Sequence, residues 1–232
     1  MKKWMKIVLV SLASLLLAVG LGFLIYVSDY YRADDVAVAA MTGESIRTEG
    51  NLTILQPGIP GDTGLIFYPG GKVEHIAYLP LLEQLRQQGI TCVLVEMPFH
   101  LAIFNPNAAD AALAALPEIK NWYIGGHSLG GAMASNYASK HQDDIKGIVL
   151  LGAYLYGGFP AERTLTLYGS EDRVLNRSKL TYTKNVMEIE GGNHAQFGNY
   201  GPQKGDGLAT ITAGEQQGQT VAAISAFIKD ER

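Results

Sequence analysis

Beyond its N-terminal region the chain alternates between short apolar runs and longer segments with helical spacing of their apolar residues. The apolar runs are rich in β-branched residues, which favour strands. The predicted strands are residues 52–55, 64–68, 91–95, 122–124, 145–151, 164–168 and 186–189. The predicted helices are residues 77–88, 108–116, 129–141 and 218–229. This alternation predicts an α/β fold, with a mostly parallel sheet covered by helices on both faces and the first strand antiparallel at the edge.

The N-terminal region has a different pattern. Residues 7–27 are uncharged and apolar, and their number is close to the ~20 residues that a helix needs to cross a bilayer. Three lysines precede this stretch and acidic residues outnumber basic ones after it, so the positive-inside rule places the N-terminus in the cytoplasm. A signal peptide usually has a shorter apolar region and a small-residue cleavage site, and no clear site follows here.

We therefore expect a single-pass protein of the cell membrane, with an N-terminal transmembrane helix in a signal anchor at residues 1–27, a polar tether at 28–50 and one folded domain at 51–232. The folded domain is expected to be extracytoplasmic. The alternative is a protein that is secreted after cleavage of the signal.

Composition limits the partners. The formal net charge of -4, with acidic and basic residues spread along the chain, provides no basic face for nucleic acid. The single cysteine, Cys92, excludes an internal disulfide and a multi-cysteine zinc site. No two histidines have the spacing of a metal-binding helix motif, so neither a metal nor another cofactor is expected. The oligomeric state is left open.

A glycine-rich turn in the middle of the chain carries the first sign of chemistry. The segment Gly-Gly-His-Ser-Leu-Gly-Gly at residues 125–131 places Ser128 between a predicted strand and a predicted helix. This is a Gly-x-Ser-x-Gly nucleophile elbow, in which a sharp turn exposes the serine and the glycines let neighbouring backbone pass. The start of the helix supplies N–H groups for a developing oxyanion.

The elbow and its surroundings resemble the α/β-hydrolase superfamily, in which an acid and then a histidine follow the nucleophile. The resemblance implies that Asp172, three residues after Gly169, is the acid, with Glu171 as the rival. It implies that His194, at the end of a Gly-Gly-Asn-His loop, is the base. His127 and the three remaining histidines are not expected to be catalytic.

The same resemblance implies an oxyanion hole made of two backbone N–H groups. Leu129, directly after the nucleophile, provides the first. The second is expected from the loop that follows the strand at 64–68, with Gly71 preferred and Gly70 or Lys72 as alternatives.

The resemblance extends over residues 53–228 and is strongest to the compact, lid-less branch of small bacterial hydrolases, because the connection from 151 to 164 is too short for a separate lid. The branch includes dienelactone-hydrolase-like enzymes. Those enzymes use a cysteine nucleophile, whereas this elbow has Ser128, so their substrate is not carried over.

The expected function is hydrolysis of a carboxylic ester or related acyl bond through an acyl-enzyme intermediate, at the outer face of the membrane. The expected partner is a small-molecule or lipid-like acyl substrate. The substrate-binding residues are unknown, although the apolar segment 97–104 either lines an acyl pocket or fills the core. The alternatives are an acyltransferase acting on envelope components and a catalytically silent binding module.

Overall fold

The computed structural model describes residues 3–43, 46–59 and 61–230. The chain divides into two units, one ending at Tyr30 and the other beginning at Tyr31. The first unit is helix α1 (Lys3–Ser28), which is long and apolar enough to cross a membrane. A signal sequence near the N-terminus can meet the same criteria of length and composition.

The second unit is built on one eight-stranded sheet. The strands are β1 (Ile46–Glu49), β2 (Leu52–Leu55), β3 (Thr63–Tyr68), β4 (Thr91–Val95), β5 (Asn121–His127), β6 (Ile145–Leu151), β7 (Thr164–Gly169) and β8 (Val186–Ile189). Their order across the sheet is β1-β2-β4-β3-β5-β6-β7-β8. The strands from β4 to β8 are parallel, and β1 and β2 pair antiparallel at one side. The prediction of a mostly parallel α/β sheet is therefore confirmed.

Helices cover both faces of the sheet. They are α2 (Asp35–Ala40), α3 (Leu79–Gln87), α4 (Ala109–Ala115), α5 (Leu129–Lys140) and α6 (Ala213–Asp230). On one face α3 and α6 bury Leu82 and Ile224 in one apolar core, and on the other α4 and α5 bury Ala112 and Ala134 in a second. Burial of these apolar stripes against the sheet drives the layered architecture.

The folded unit begins earlier than the sequence pattern indicates. Within the stretch treated above as a tether, residues 35–40 form α2 and residues 46–49 form β1, so β2 is not the edge strand. The backbone of Tyr31 pairs with Lys72 and Glu74, and Asp34 caps α2 by accepting a hydrogen bond from the N–H of Ala37. Elements of four to six residues are too short to show a clear hydrophobic periodicity in the sequence. Contacts with distant parts of the chain stabilise this region.

The carboxyl ends of the parallel strands bring the sequence motifs to one edge of the sheet. The loop at 69–72 follows β3, Ser128 follows β5, and Asp172 lies shortly after β7. His194 lies in the loop after β8. The connection between β6 and β7 contains only a short 3-10 turn at Ala161–Arg163, so no helical lid is inserted there. This edge is where ligands bind in open α/β sheets.

Candidate active site

Ser128 sits at the sharp turn between β5 and α5 in a strained conformation. Its φ of 52° and ψ of -120° lie outside the regions that non-glycine residues ordinarily occupy. The turn is held because the Ser128 N–H donates to the carbonyl of Leu151, at 2.9 Å. A Cβ atom on Gly130 would lie 2.2 Å from the carbonyl oxygens of Tyr68 and Pro69, so the helix can approach β3 only with glycine at that position. The predicted elbow is thus present as a strained strand-to-helix turn.

Asp172 and His194 form a buried pair. Oδ2 of Asp172 lies 2.8 Å from Nδ1 of His194, and the two side chains are shielded from solvent. The other carboxylate oxygen, Oδ1, accepts hydrogen bonds from the N–H groups of Val174 at 2.9 Å and Leu175 at 2.8 Å. The neighbouring Glu171 is partly exposed. The structure therefore pairs Asp172, and not its rival Glu171, with the histidine.

The second ring nitrogen of His194, Nε2, is not paired with a carboxylate. Its Nε2 is buried and has no hydrogen-bond partner among the residues that the structure describes. His194 and Ser128 line the same cleft, which has a volume of about 260 Å³. With Nδ1 engaged by the carboxylate, Nε2 is the nitrogen left to accept a proton.

Two backbone N–H groups near Ser128 have no hydrogen-bond partner in the described chain. In the loop after β3, the N–H of Gly70 donates to the Tyr78 hydroxyl at 3.0 Å, and the N–H of Lys72 donates to the carbonyl of His100 at 2.8 Å. Within the described chain no hydrogen bond uses the N–H of Gly71 or of Leu129. A Cβ on Gly71 would lie 2.9 Å from Cδ2 of Leu129, which places the two residues side by side. Of the three loop candidates, Gly71 is the one with an available donor.

The walls of the cleft are mostly apolar. Beside Ser128, Leu129 and His194, the lining residues are Ala132, Gly152, Ala153, Tyr154, Val174, Leu175 and Asn176. The segment 97–104, considered above as an acyl pocket, forms two short 3-10 turns after β4 and contributes none of these residues. Two wider clefts of about 360 and 420 Å³ lie elsewhere on the domain and do not include Ser128.

Gly152, Tyr78 and His127 also lie around the site; sequence reasoning missed the first two and expected His127 not to be catalytic. Gly152 packs directly against the ring of His194. The ring of His127 is fully buried, with its centroid 4.4 Å from that of His194, and its Nδ1 lies 2.8 Å from the Tyr78 hydroxyl. Burial, and then the neighbouring His194, lower the pKa of His127 well below its ordinary value. The sequence offered one signal for Gly152: a glycine directly after a strand often allows another group to approach the backbone closely.

No group of three or more histidine, cysteine, aspartate or glutamate side chains in the described part of the chain is arranged to hold a metal ion. The groups that the structure brings together at this edge are Ser128, the buried Asp172–His194 pair and the N–H groups of Gly71 and Leu129. That set is of the kind found in enzymes that attack carbonyl groups with a serine.

Comparison with known proteins agrees with this class. Residues 64–218, more than half of the chain, match the alpha/beta hydrolase family, and the chain belongs to that family. It is a hydrolase with the α/β-hydrolase fold. No curated protein sequence matches the chain significantly.

Several solved structures share the fold. Est1E from Butyrivibrio proteoclasticus superposes with a TM-score of 0.56 at 15% identity, over 80% of this chain and 97% of that protein. The monoacylglycerol lipase of Paleococcus ferrophilus gives a TM-score of 0.57 at 16% identity, over 79% of this chain and 100% of the lipase. The fluorophosphonate-binding serine hydrolase F of Staphylococcus aureus gives 0.54 at 12% identity, over 80% of this chain and 95% of that protein. At such low sequence identities, the similarity shows a shared fold and does not show a shared substrate.

Proposed function

We propose that the chain is a serine hydrolase that cleaves a carboxylic ester or a related acyl bond through an acyl-enzyme intermediate. Ser128 is the nucleophile, His194 the general base and Asp172 the residue that orients the base. The observation that carries the proposal is the buried 2.8 Å contact between Asp172 and His194, whose Nε2 remains unpaired in the cleft that Ser128 lines. The alpha/beta hydrolase family membership supports it.

The proposed reaction begins when Oγ of Ser128 attacks the substrate carbonyl and transfers its proton to Nε2 of His194. Asp172 stabilises the imidazolium that forms, since its Oδ2 is bonded to Nδ1. The negative charge that develops on the carbonyl oxygen is stabilised by the N–H groups of Gly71 and Leu129.

Collapse of the tetrahedral intermediate then breaks the bond to the alcohol, which takes the proton from His194 as it leaves. A water molecule attacks the acyl-enzyme in the same way and releases the acid. Each half of the reaction uses the same base and the same two donors, so one preorganised site serves both.

The shape of the cleft favours a compact acyl group. Its volume of about 260 Å³ lies at the small end of the ~300–1,000 Å³ typical of ligand sites, and its walls are mostly apolar. We therefore propose a small acyl group held against Ala132, Ala153 and Leu175. A structure of Est1E, which shares this fold, has been determined with the small carboxylic acid ferulic acid bound.

We further propose that α1 remains as a membrane anchor, with the N-terminus in the cytoplasm and the hydrolase domain outside. Lys3 and Lys6 lie at the start of the helix, and Asp29, Asp34 and Asp35 follow its end. External protease should digest the domain in intact cells, and the isolated protein should retain its N-terminal helix by mass spectrometry. Full protection of the domain would contradict the orientation, and loss of the helix would contradict the anchor.

A pre-steady-state experiment tests the chemistry. The purified chain mixed with p-nitrophenyl acetate should release a burst of p-nitrophenol equal to the enzyme concentration, and the trapped protein should carry one acetyl group on Ser128. The Ser128→Ala variant should give neither the burst nor the acetyl group. An equal burst from that variant would refute Ser128 as the nucleophile.

A further inference from the structure

The Tyr78 hydroxyl joins the two loops that form the proposed oxyanion hole. It accepts a hydrogen bond from the N–H of Gly70, at 3.0 Å, and it lies 2.8 Å from Nδ1 of His127. Gly70 precedes Gly71 in the loop after β3, and His127 precedes Ser128 at the elbow. The three groups therefore form a buried chain of hydrogen bonds between the donor loop and the nucleophile turn.

Proton counting favours one direction for this chain of hydrogen bonds. A tyrosine hydroxyl has one proton to donate, and here its oxygen already accepts from Gly70. We infer that the Tyr78 proton points to Nδ1 of His127, because Nδ1 is the one acceptor bonded to this hydroxyl among the described residues. His127 is then the neutral tautomer with its proton on Nε2, a buried atom that has no hydrogen-bond partner among those residues.

Packing leaves this arrangement little freedom. Tyr78 and His127 have no exposed surface, and the Tyr78 ring packs 5.1 Å from Phe67, centroid to centroid. A Cβ on Gly70 would lie 2.7 Å from the Tyr78 hydroxyl and 2.8 Å from Nδ1 of His127. The loop thus approaches the Tyr78–His127 pair so closely that only glycine fits at the position before Gly71.

One member of the pair, His127, packs against the proposed base. The ring of His127 is 4.4 Å from that of His194, centroid to centroid, at an interplanar angle of 49°. In the proposed reaction His194 becomes positively charged, and a second charged imidazole at this distance would oppose that charge. A His127 that is kept neutral packs against His194 without this penalty.

We propose that Tyr78 and His127 are positioning residues of the hydrolase site. They hold the Gly71 N–H beside that of Leu129 and present a neutral ring to His194. This inference rests on the proposed function, and it assigns to the site a pair that acts through Gly71 and His194 and not on the substrate directly.

The test uses the full chain in detergent micelles and measures activity per enzyme molecule whose active-site serine can react. Active sites are titrated with a fluorophosphonate probe, and kcat and KM for p-nitrophenyl acetate are expressed per labelled serine. Tyr78→Phe removes only the hydroxyl, and we expect it to lower kcat about tenfold, with KM changed less than twofold, because an oxyanion donor is displaced and not deleted. Tyr137→Phe is the matched control, since it also removes a buried tyrosine hydroxyl, one that donates to Asp110 away from the site.

A conservative replacement of His127 should preserve most of the activity that a non-polar replacement loses. His127→Asn keeps an acceptor at the δ position and should retain at least a third of the wild-type kcat, whereas His127→Leu should lose as much as Tyr78→Phe. Combining Tyr78→Phe with His127→Leu should cost no more than His127→Leu alone, because the two residues act as a unit. Additive losses, or unchanged kcat per labelled serine in Tyr78→Phe, would overturn the proposal and leave the proposed function standing.

The tautomer has its own readout, which does not depend on activity. In the ¹⁵N spectrum of histidine-labelled protein, the His127 signals, identified by their absence in His127→Asn, should show an unprotonated Nδ1 and a protonated Nε2. A protonated Nδ1 would overturn the inference even in an active enzyme. Failure of the wild type to react with the fluorophosphonate would overturn the proposed function and with it this role for Tyr78.

Discussion

A Cβ atom on Gly152 would lie 2.7 Å from Nδ1 of His194 and 2.9 Å from its Cε1. The same atom would lie 3.2 Å from Oδ2 of Asp172, so it would enter the contact between the two side chains. Gly152 also has a φ of +52°, which side chains disfavour. The absence of a side chain at this position is therefore a condition for the Asp172–His194 pair to exist in its observed geometry.

Gly152→Ala should consequently separate His194 from Asp172. We expect kcat for an ester to fall about 100-fold, since misplacement of a catalytic group by about 1 Å has effects of that size. Gly158→Ala is the matched control: it lies in the same connection, no atom is within 4 Å of its Cβ position, and its φ is not positive. Steady-state kinetics of the two variants provide the measurement, and equal activities would mean that the packing of Gly152 is irrelevant to catalysis.

Asp172 and Glu171 offer a second matched pair. Asp172→Asn keeps the shape of the side chain but should lower kcat about 10³- to 10⁴-fold, because an amide neither fixes the tautomer of His194 nor stabilises its charge. Glu171→Gln should stay within about twofold of the wild type, because its partly exposed side chain does not pair with the histidine. The reverse ranking in an ester-hydrolysis assay would make Glu171 the acid.

Burial of His127 predicts a specific pH dependence of stability. Because the pKa of His127 is lowered in the folded chain, the unfolded chain binds a proton that the folded chain does not once the pH drops below about 6.5. Stability should therefore fall on acidification below that value and be unaffected by this group above it. The slope from one such histidine approaches ~1.4 kcal/mol per pH unit.

His75 and His100 also have lowered pKa values through burial, so the wild-type slope includes their contributions. The difference between the wild type and His127→Asn isolates His127, with Tyr78 and His194 as its titratable neighbours. Urea unfolding at pH 7.5 and at pH 5.0, values chosen on either side of about 6.5, should give a smaller loss of stability in the variant. Equal losses would show that His127 titrates normally in the folded protein.

The single thiol should be inert in the folded protein. Cys92 is fully buried in β4, and burial raises the pKa of its thiol far above the ordinary value. We expect no reaction with a thiol-specific reagent such as dithionitrobenzoate under native conditions and one reacted thiol per chain in denaturant. Rapid native labelling would contradict the packing of β4.

The sheet and the nucleophile turn could be predicted because their signals are local. An apolar run that is bounded by turn residues identifies a strand, and Gly-x-Ser-x-Gly after such a run identifies the elbow at Ser128. The order of the motifs then selected Asp172 and His194, which the structure brings together. The helix boundaries shifted by a few residues, as in α6, which begins at Ala213 and not at 218.

Features that depend on distant contacts could not be found in this way. The resemblance already preferred Gly71 over Gly70 and Lys72, but the hydrogen bonds that occupy the other two N–H groups, to Tyr78 and to His100, are seen only in the structure. Gly152 resembles any glycine after a strand until His194 is packed against it. The segment 97–104 was a candidate for the acyl pocket because of its apolar residues, but the walls of the cleft come from other loops.

The size of the cleft allows a direct test of the proposed substrate class. A series of p-nitrophenyl esters from acetate to decanoate should show the highest kcat/KM for the short acyl chains, because about 260 Å³ accommodates few methylene groups. The Ser128→Ala variant supplies the background rate. Rising kcat/KM up to decanoate would contradict a compact acyl site.

The central claim is that Ser128 is activated by His194 and Asp172, and covalent labelling tests it most directly. The wild type, Ser128→Ala, His194→Ala and Asp172→Asn are treated with a fluorophosphonate probe, and the rate and site of labelling are determined by mass spectrometry. We expect one label per chain on Ser128 in the wild type, none in Ser128→Ala, and labelling slowed by at least about 100-fold in the other two variants. A wild-type protein that folds but takes no label, or that is labelled equally well without His194, would contradict it.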